Sequence, residues 1–323
     1  MTTTKRVVRV VSLILGAAFL FFAFSKVQWS SFVAALMSMN LAWMSCSAIA
    51  ILAAMCMRSV RWHFLTGLPR SDAANVWEAA SIGYLGSVLL PARAGDLLRM
   101  LRLQQITQVG GGVAIGSAIV DRIFDGLGLG ALLLILLFVW SGNLQAQAVL
   151  LGLTAVFVAA AMGTALFVLQ GHRLYPLLQR MSVKGRIWEK LGRWYGQCLE
   201  ALQALRSSKK LLLAFFLQLL VNLLDLSACW LLLKAFDLHL MFLASLVVLV
   251  YLAAAVSLPA PPGYVGVYQI VALFALSPFG VDNSIAVAYG TALQVLTLVL
   301  FSAVGCAALL RQRRRERVSL LTG

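Results

Sequence analysis

The chain reads as an all-α polytopic membrane protein, with about six transmembrane helices and two re-entrant broken hairpins. Three observations lead there. Of the 323 residues, 62% are hydrophobic and only 11% charged, with a mean hydropathy of +0.93, a composition foreign to soluble globular domains. The lysines and arginines stand in short segments beside apolar runs, the asymmetry that marks a cytoplasmic side. Two of the apolar runs are also cut by proline, which removes a backbone donor and interrupts a helix.

The same observations exclude other classes. A net charge of +15 would suit nucleic acid, but its placement beside membrane segments assigns it to topology, so no nucleic-acid partner is expected. The five cysteines (Cys46, Cys56, Cys198, Cys229 and Cys306) contain no CxxC pair and read as small hydrophobes. No HExxH or His/Cys cluster is present, so neither a metal nor another cofactor is expected. The basic start at Lys5, Arg6 and Arg9 before an apolar run lacks a small-residue cleavage site, so it reads as a retained helix.

The whole chain, 1–323, is expected to be one integral membrane domain, with a first half over 1–170 and a second over 211–310. Helix one covers residues 7–24, and 26–40 is a short external connection. Helix two covers 41–57 and delivers Arg58, Arg61 and Arg70 to the inner side, with Trp62 as an interfacial aromatic. The first broken segment is 77–104. Its apolar part, 79–90, rises roughly 18 Å at 1.5 Å per residue, too short for a hydrocarbon core of about 30 Å. Arg99 and Arg102 then imply a return to the same side, as a re-entrant hairpin in which a new helix starts at Pro91.

Helix three covers 112–140 and carries Asp121, Arg122 and Asp125; its glycines, Gly110 to Gly112, Gly126 and Gly130, read as close-packing positions. Residues 141–147 form an outer turn, and helix four covers 148–169. The polar stretch 171–210 has apolar residues at helical spacing and reads as an amphipathic cytoplasmic helix or a solvated loop. Helix five, 211–233, places Gln218, Asn222 and Asp225 on one face, and Asp237 and His239 follow in an outer loop. The second broken segment, 242–277, is interrupted by SLPAPPGYVG, where Pro262 and Gly263 would start a half-helix. A last helix over 284–310 ends at RQRRRER in the basic tail, 311–323. Both termini fall on the cytoplasmic side. Paired proline breaks in the two halves are the mark of an inverted repeat with a binding site near mid-depth.

Candidate binding residues gather at those breaks and on the charged helix faces. Arg93 suits a phosphate ligand, because its planar fork matches phosphate oxygens and keeps its charge when desolvated. Asp96 and Arg99 stand three apart and can pair. Asp121, Arg122 and Asp125 admit two readings, structural ion pairing or substrate and proton coupling. Asp225 can line a pathway, while Gln218 and Asn222 read as interhelical glue. Tyr264, Tyr268 and Gln269 supply neutral hydrogen-bonding groups at the second break. No catalytic residue is assigned.

These motifs resemble a known family. LPARAGD at residues 90–96 followed by Arg99 is similar to the LPxRxGE-x-x-R signature of the lysylphosphatidylglycerol synthase transmembrane region. That family, also described as flippase-like, includes the membrane half of the multiple peptide resistance factor. Asp121-Arg122 with Asp125 resembles its acidic-Arg-x-x-Asp motif, PPGYVGVYQ at 261–269 its PGGxGxxE element, and Asp225 the acidic residue usual before that element. Asp96 and Gln269 depart from the glutamates typical at those two positions, and the second departure removes a carboxylate.

The resemblance implies a bacterial cytoplasmic-membrane protein that binds or moves a lipid with a charged head group. The partner expected is an anionic phospholipid or a polyprenyl-phosphate-type lipid. It does not imply lysyl transfer, whose chemistry belongs to a soluble C-terminal domain. Three readings remain open: translocation of such a lipid, a membrane-embedded transferase acting on a lipid phosphate, and a non-transporting scaffold for envelope synthesis. Oligomeric state is open as well, a homodimer included.

Overall fold

In the computed structural model the described residues are 16–25, 27–90, 94–139, 152, 155, 159, 208–257 and 261–322. Among them every regular element is helical: α1 (Gly16–Phe24), α2 (Trp29–Met37), α3 (Leu41–Thr66), α4 (Ala73–Leu89), α5 (Ala94–Thr107), α6 (Gly111–Val139), α7 (Ser208–Ala235), α8 (Phe242–Ser257), α9 (Val267–Leu276) and α10 (Asn283–Thr322), with short 3₁₀ turns between some of them. Four helices are long and apolar enough to cross a membrane among the described residues, or five if the bent pair α1 and α2 forms one span. The four are α3, α6, α7 and α10, and they coincide with four of the six crossings read from the sequence. Apart from residues 152, 155 and 159, the fourth crossing, at 148–169, lies outside the described residues, as does most of the polar stretch at 171–210.

Several boundaries move, each for a local reason. Residues 29–37, expected as a connection, form α2, because WSSFVAALM is apolar with no breaker and its Phe32 stacks edge-on with Phe24 and Trp29. Helix α3 does not stop at residue 57. It starts on an Asn40 cap, whose Oδ1 accepts from Ala42 N at 2.9 Å, and runs to Thr66, where Gly67 takes a left-handed φ of 69° ahead of Pro69. The half-helix at the second break begins at Val267, not Pro262. Gly263, Tyr264 and Gly266 all have positive φ (65°, 55° and 82°), and that run cannot be α-helical. The last helix continues through RQRRRER to Thr322, since nothing in that run breaks a helix.

Both broken segments are helix–break–helix units, α4/α5 and α8/α9. In the first, α4 and α5 lie antiparallel. Gly95 sits against Gly83 and Ser87, Leu98 against Gly86, and Arg102 bonds Glu78, so each step forward on α5 is a step back on α4. That is an antiparallel helical hairpin at the place where the first broken segment is expected; Pro91 itself lies outside the described residues.

The chain divides into two compact units. One takes described residues from 1–55, 80–98 and 223–323, the other from 56–79 and 99–222. In the first, α8 packs on α9, and α9 and α2 pack on α10. Its core includes Phe32, Ala272, Ala275, Leu276, Val287 and Tyr289. Gly290 lets α10 approach α9 so closely that a Cβ there would stand 2.6 Å from the Tyr268 carbonyl oxygen. In the second unit, Leu65, Val120, Phe124 and Ala214 form a cluster flanked by Phe64. The large apolar side chains left exposed, Phe138 and Leu212 among them, are those a bilayer would cover. Among the described residues, no atom lies within 4 Å of where a Cβ on Gly110, Gly126 or Gly130 would be.

Candidate functional site

The candidate site in the second unit is built by α3, α5 and α6 around one fully buried arginine. Residue 61 falls nearly two turns before the Gly67 stop of α3, which keeps it inside the helix, and it is 0% exposed. Its Nε donates to Asp121 Oδ1 at 2.9 Å, and its Nη2 reaches the same oxygen at 2.7 Å and Asp125 Oδ1 at 2.8 Å. Asp121 and Asp125 are one turn apart on α6, so one guanidinium edge spans both. From α5, Arg99 Nη1 donates to the other oxygen of Asp121 at 2.9 Å. Its guanidinium also lies over the Trp62 ring, 4.8 Å from the centroid. Trp62 is held in turn by its Nε1–H donating to Ser117 Oγ at 3.2 Å. Arg122 closes the group at its edge, bonding Asp125 Oδ2 at 3.1 Å.

Charge and burial decide what this group can do. Among the described residues three guanidinium groups meet two carboxylates in one ion-pair network. Asp121, 4% exposed, has both oxygens engaged by arginine, so it is a fixed counter-ion. Asp125 and Arg122 are more open, at 31% and 45%. Arg61 Nη1 is buried without a hydrogen-bond partner among the described residues. Beside the group, Arg102 bonds Glu78 at 2.7 Å, a second buried pair that is locally neutral. Ionised groups at membrane depth are costly unless they face one another or a polar cavity. Asp121, Arg122 and Asp125 are all engaged in ion pairs, which both alternatives stated for them allow.

The other sequence-derived residues are distributed as follows. Arg93 lies outside the described residues, immediately before α5. Asp96 is in the first turn of α5, where a carboxylate complements the positive helix end. Gln218 donates to Asn222 Oδ1 at 2.9 Å, and both amides fill the space left by Gly128, where a Cβ would come within 2.8 Å of Asn222 Nδ2. Asp225 is half-buried on α7, four residues before Cys229, whose carbonyl accepts the Tyr289 hydroxyl at 3.0 Å.

In the first unit, Tyr264 and Tyr268 meet edge to face at 6.5 Å beside the second break. Gln269 does not hang free. Its Nε2 donates to Gln294 Oε1 at 2.8 Å, and Gln294 Nε2 donates to the Gly263 carbonyl at 2.7 Å. Two amides thus tie the irregular turn to α10. Replacing Gln294 by leucine leaves that carbonyl unpaired in a buried place, and leaves Gln269 only its 3.3 Å bond to the Thr291 hydroxyl. A loss of about 1–3 kcal/mol is expected, read as a lowered unfolding midpoint in detergent.

Sequence reasoning missed Arg61, Glu78 and Gln294. Signals for two of them exist in the chain: Gly67 and Pro69 mark the true end of α3, and Glu78 is an isolated acid in an otherwise apolar helix. Compared with known proteins, residues 9–305 match the family model described as the lysylphosphatidylglycerol synthase TM region. No curated protein and no solved structure matches the chain.

Proposed function

The chain belongs to the lysylphosphatidylglycerol synthase transmembrane-region family, and from that premise we propose that it binds and translocates a lipid or lipid-linked substrate with an anionic, phosphate-bearing head group. It is a multi-pass membrane protein of a lipid-related family, which narrows the substrate to something the bilayer carries. One observation carries the rest: a group of arginines, Arg61, Arg99 and Arg122, gathered with Asp121 and Asp125 among the helices of a membrane protein, with Arg61 fully buried.

Guanidinium forks suit the oxygens of a head-group phosphate. Arg93 in the LPARAGD motif and the N-terminal amides of α5 extend that preference toward the break between α4 and α5. The acyl chains or polyprenyl tail stay in lipid throughout, so only the polar end needs a protein-lined path. Within the first unit, Asp225 on α7 and Tyr264, Tyr268 and Gln269 beside the second break are polar groups we also assign to head-group binding. The charge asymmetry supports a bacterial cytoplasmic membrane with both termini inside.

Purified protein in liposomes is expected to move a labelled anionic phospholipid or polyprenyl-phosphate lipid between leaflets, and Arg93→Ala is expected to abolish the movement. Equal rates for wild type, Arg93→Ala and protein-free liposomes would reject the proposal.

A further inference from the structure

At the end of the first unit where α3 begins and α7 ends, the structure holds a charged aromatic cleft that the proposed path does not use. The frame is rigid: Asn40 N–H donates to the Ala235 carbonyl at 2.8 Å, and Ser47 Oγ donates to the Ala228 carbonyl at 2.8 Å. Beyond α7 the chain turns through Asp237, whose φ is 55°, and Leu238 N–H returns to the Leu233 carbonyl at 3.1 Å. The result is a cleft of about 330 Å³ lined by Trp43, Trp230, Lys234, Asp237 and His239. That volume falls within the range of small-ligand sites, roughly 300–1,000 Å³.

The Lys234 ammonium stands 4.0 Å from the Trp230 ring centroid and 4.9 Å from that of Trp43. Two indole faces therefore fix its position. Trp230 is itself set by edge-on packing with Phe242, 5.8 Å between ring centroids. No carboxylate or hydrogen-bond acceptor among the described residues engages the ammonium. Its three donors are thus held in place without a partner. At the rim, the Asp237 side chain is 94% exposed and its Oδ1 is 3.7 Å from His239 Nδ1.

We propose that this cleft binds the head group of a zwitterionic aminophospholipid, its phosphate on Lys234 and its ammonium at Asp237. A bare anion would satisfy Lys234 and be opposed by Asp237. A head group carrying both signs satisfies both, and paired indoles at the end of two membrane helices sit at the depth where head groups lie. The site is independent of translocation and holds whether or not the chain moves lipid.

Native mass spectrometry on the delipidated full-length protein tests it, with phosphatidylethanolamine, phosphatidylglycerol, diacylglycerol and inorganic phosphate as probes. Wild type is expected to prefer phosphatidylethanolamine, and Lys234→Gln to bind it about tenfold or more weakly, the usual loss for a hydrogen bond to a charged group. Lys234→Arg is expected to keep the affinity. Asp237→Asn, an exposed change that leaves the fold alone, is expected to shift preference toward phosphatidylglycerol, and carries the test if Lys234→Gln lowers the unfolding midpoint. Unchanged phosphatidylethanolamine binding in both Lys234→Gln and Asp237→Asn overturns the site. Displacement of the lipid by inorganic phosphate at equal concentration reassigns it to a soluble anion, and a wild-type preference for phosphatidylglycerol overturns the zwitterion assignment.

Discussion

Arg61→Met is expected to lower the stability of the protein by about 3–5 kcal/mol, the range found when one partner of a buried ion pair is removed. Two carboxylates share this one guanidinium edge. Without it Asp121 keeps only Arg99 and Asp125 only Arg122, while the space around the side chain stays closed to water. Arg61→Lys preserves the charge but offers a single ammonium where Nε and Nη2 now serve three contacts, so it should recover less than half of the loss. The unfolding midpoint in detergent, followed by intrinsic fluorescence, reads both. A methionine variant that melts with wild type but no longer moves lipid would show that Arg61 is held for the substrate rather than for the fold. Wild-type melting together with wild-type transport would leave the buried pairing without a role.

The reason Arg61 escaped the sequence reading is physical. In a hydropathy profile a charge after some twenty apolar residues looks like the exit from the membrane, and Arg58 three residues earlier reinforces it. The acids that make burial affordable sit 60 and 64 residues further on, and nothing local to residue 61 announces them. Backbone punctuation proved the better guide. Gly67 with Pro69 ends α3, the break around Pro91 separates α4 from α5, and PPGYVG separates α8 from α9. Those signals act through the local chain, so one sequence contains them. Trp62 shows the opposite case. Its indole could as well have met lipid head groups, and only the Ser117 hydroxyl and the Arg99 guanidinium, brought from other helices, make it a buried residue. Glycines were the least legible of all, because a glycine in open space and one in a tight crossing are written with the same letter.

Gly95, the glycine of LPARAGD, gives that last point its test. A Cβ there would overlap the Gly83 carbonyl oxygen and Ser87, whose backbone nitrogen would be 2.6 Å away. The reciprocal glycine on α4 is as confined, since a Cβ on Gly86 would come within 2.9 Å of Gly95 Cα. These obstacles are mostly backbone, so no rotamer change relieves them and the two helices have to separate. Gly95→Val is therefore expected to cost at least the roughly 1–3 kcal/mol typical of overpacking, and to remove lipid transport by opening the α4/α5 hairpin from which Arg99 reaches Asp121. Gly126→Ala on α6 is the matched control. With no atom of the described residues within 4 Å of its Cβ position, it should be neutral or stabilising by up to about 1 kcal/mol through helix propensity alone. If Gly95→Val melts and transports like Gly126→Ala, the hairpin is not closed in the working protein. If Gly95→Val alone fails, the glycine in the motif is there to let two helices touch, and the charged residues around it owe their positions to that contact.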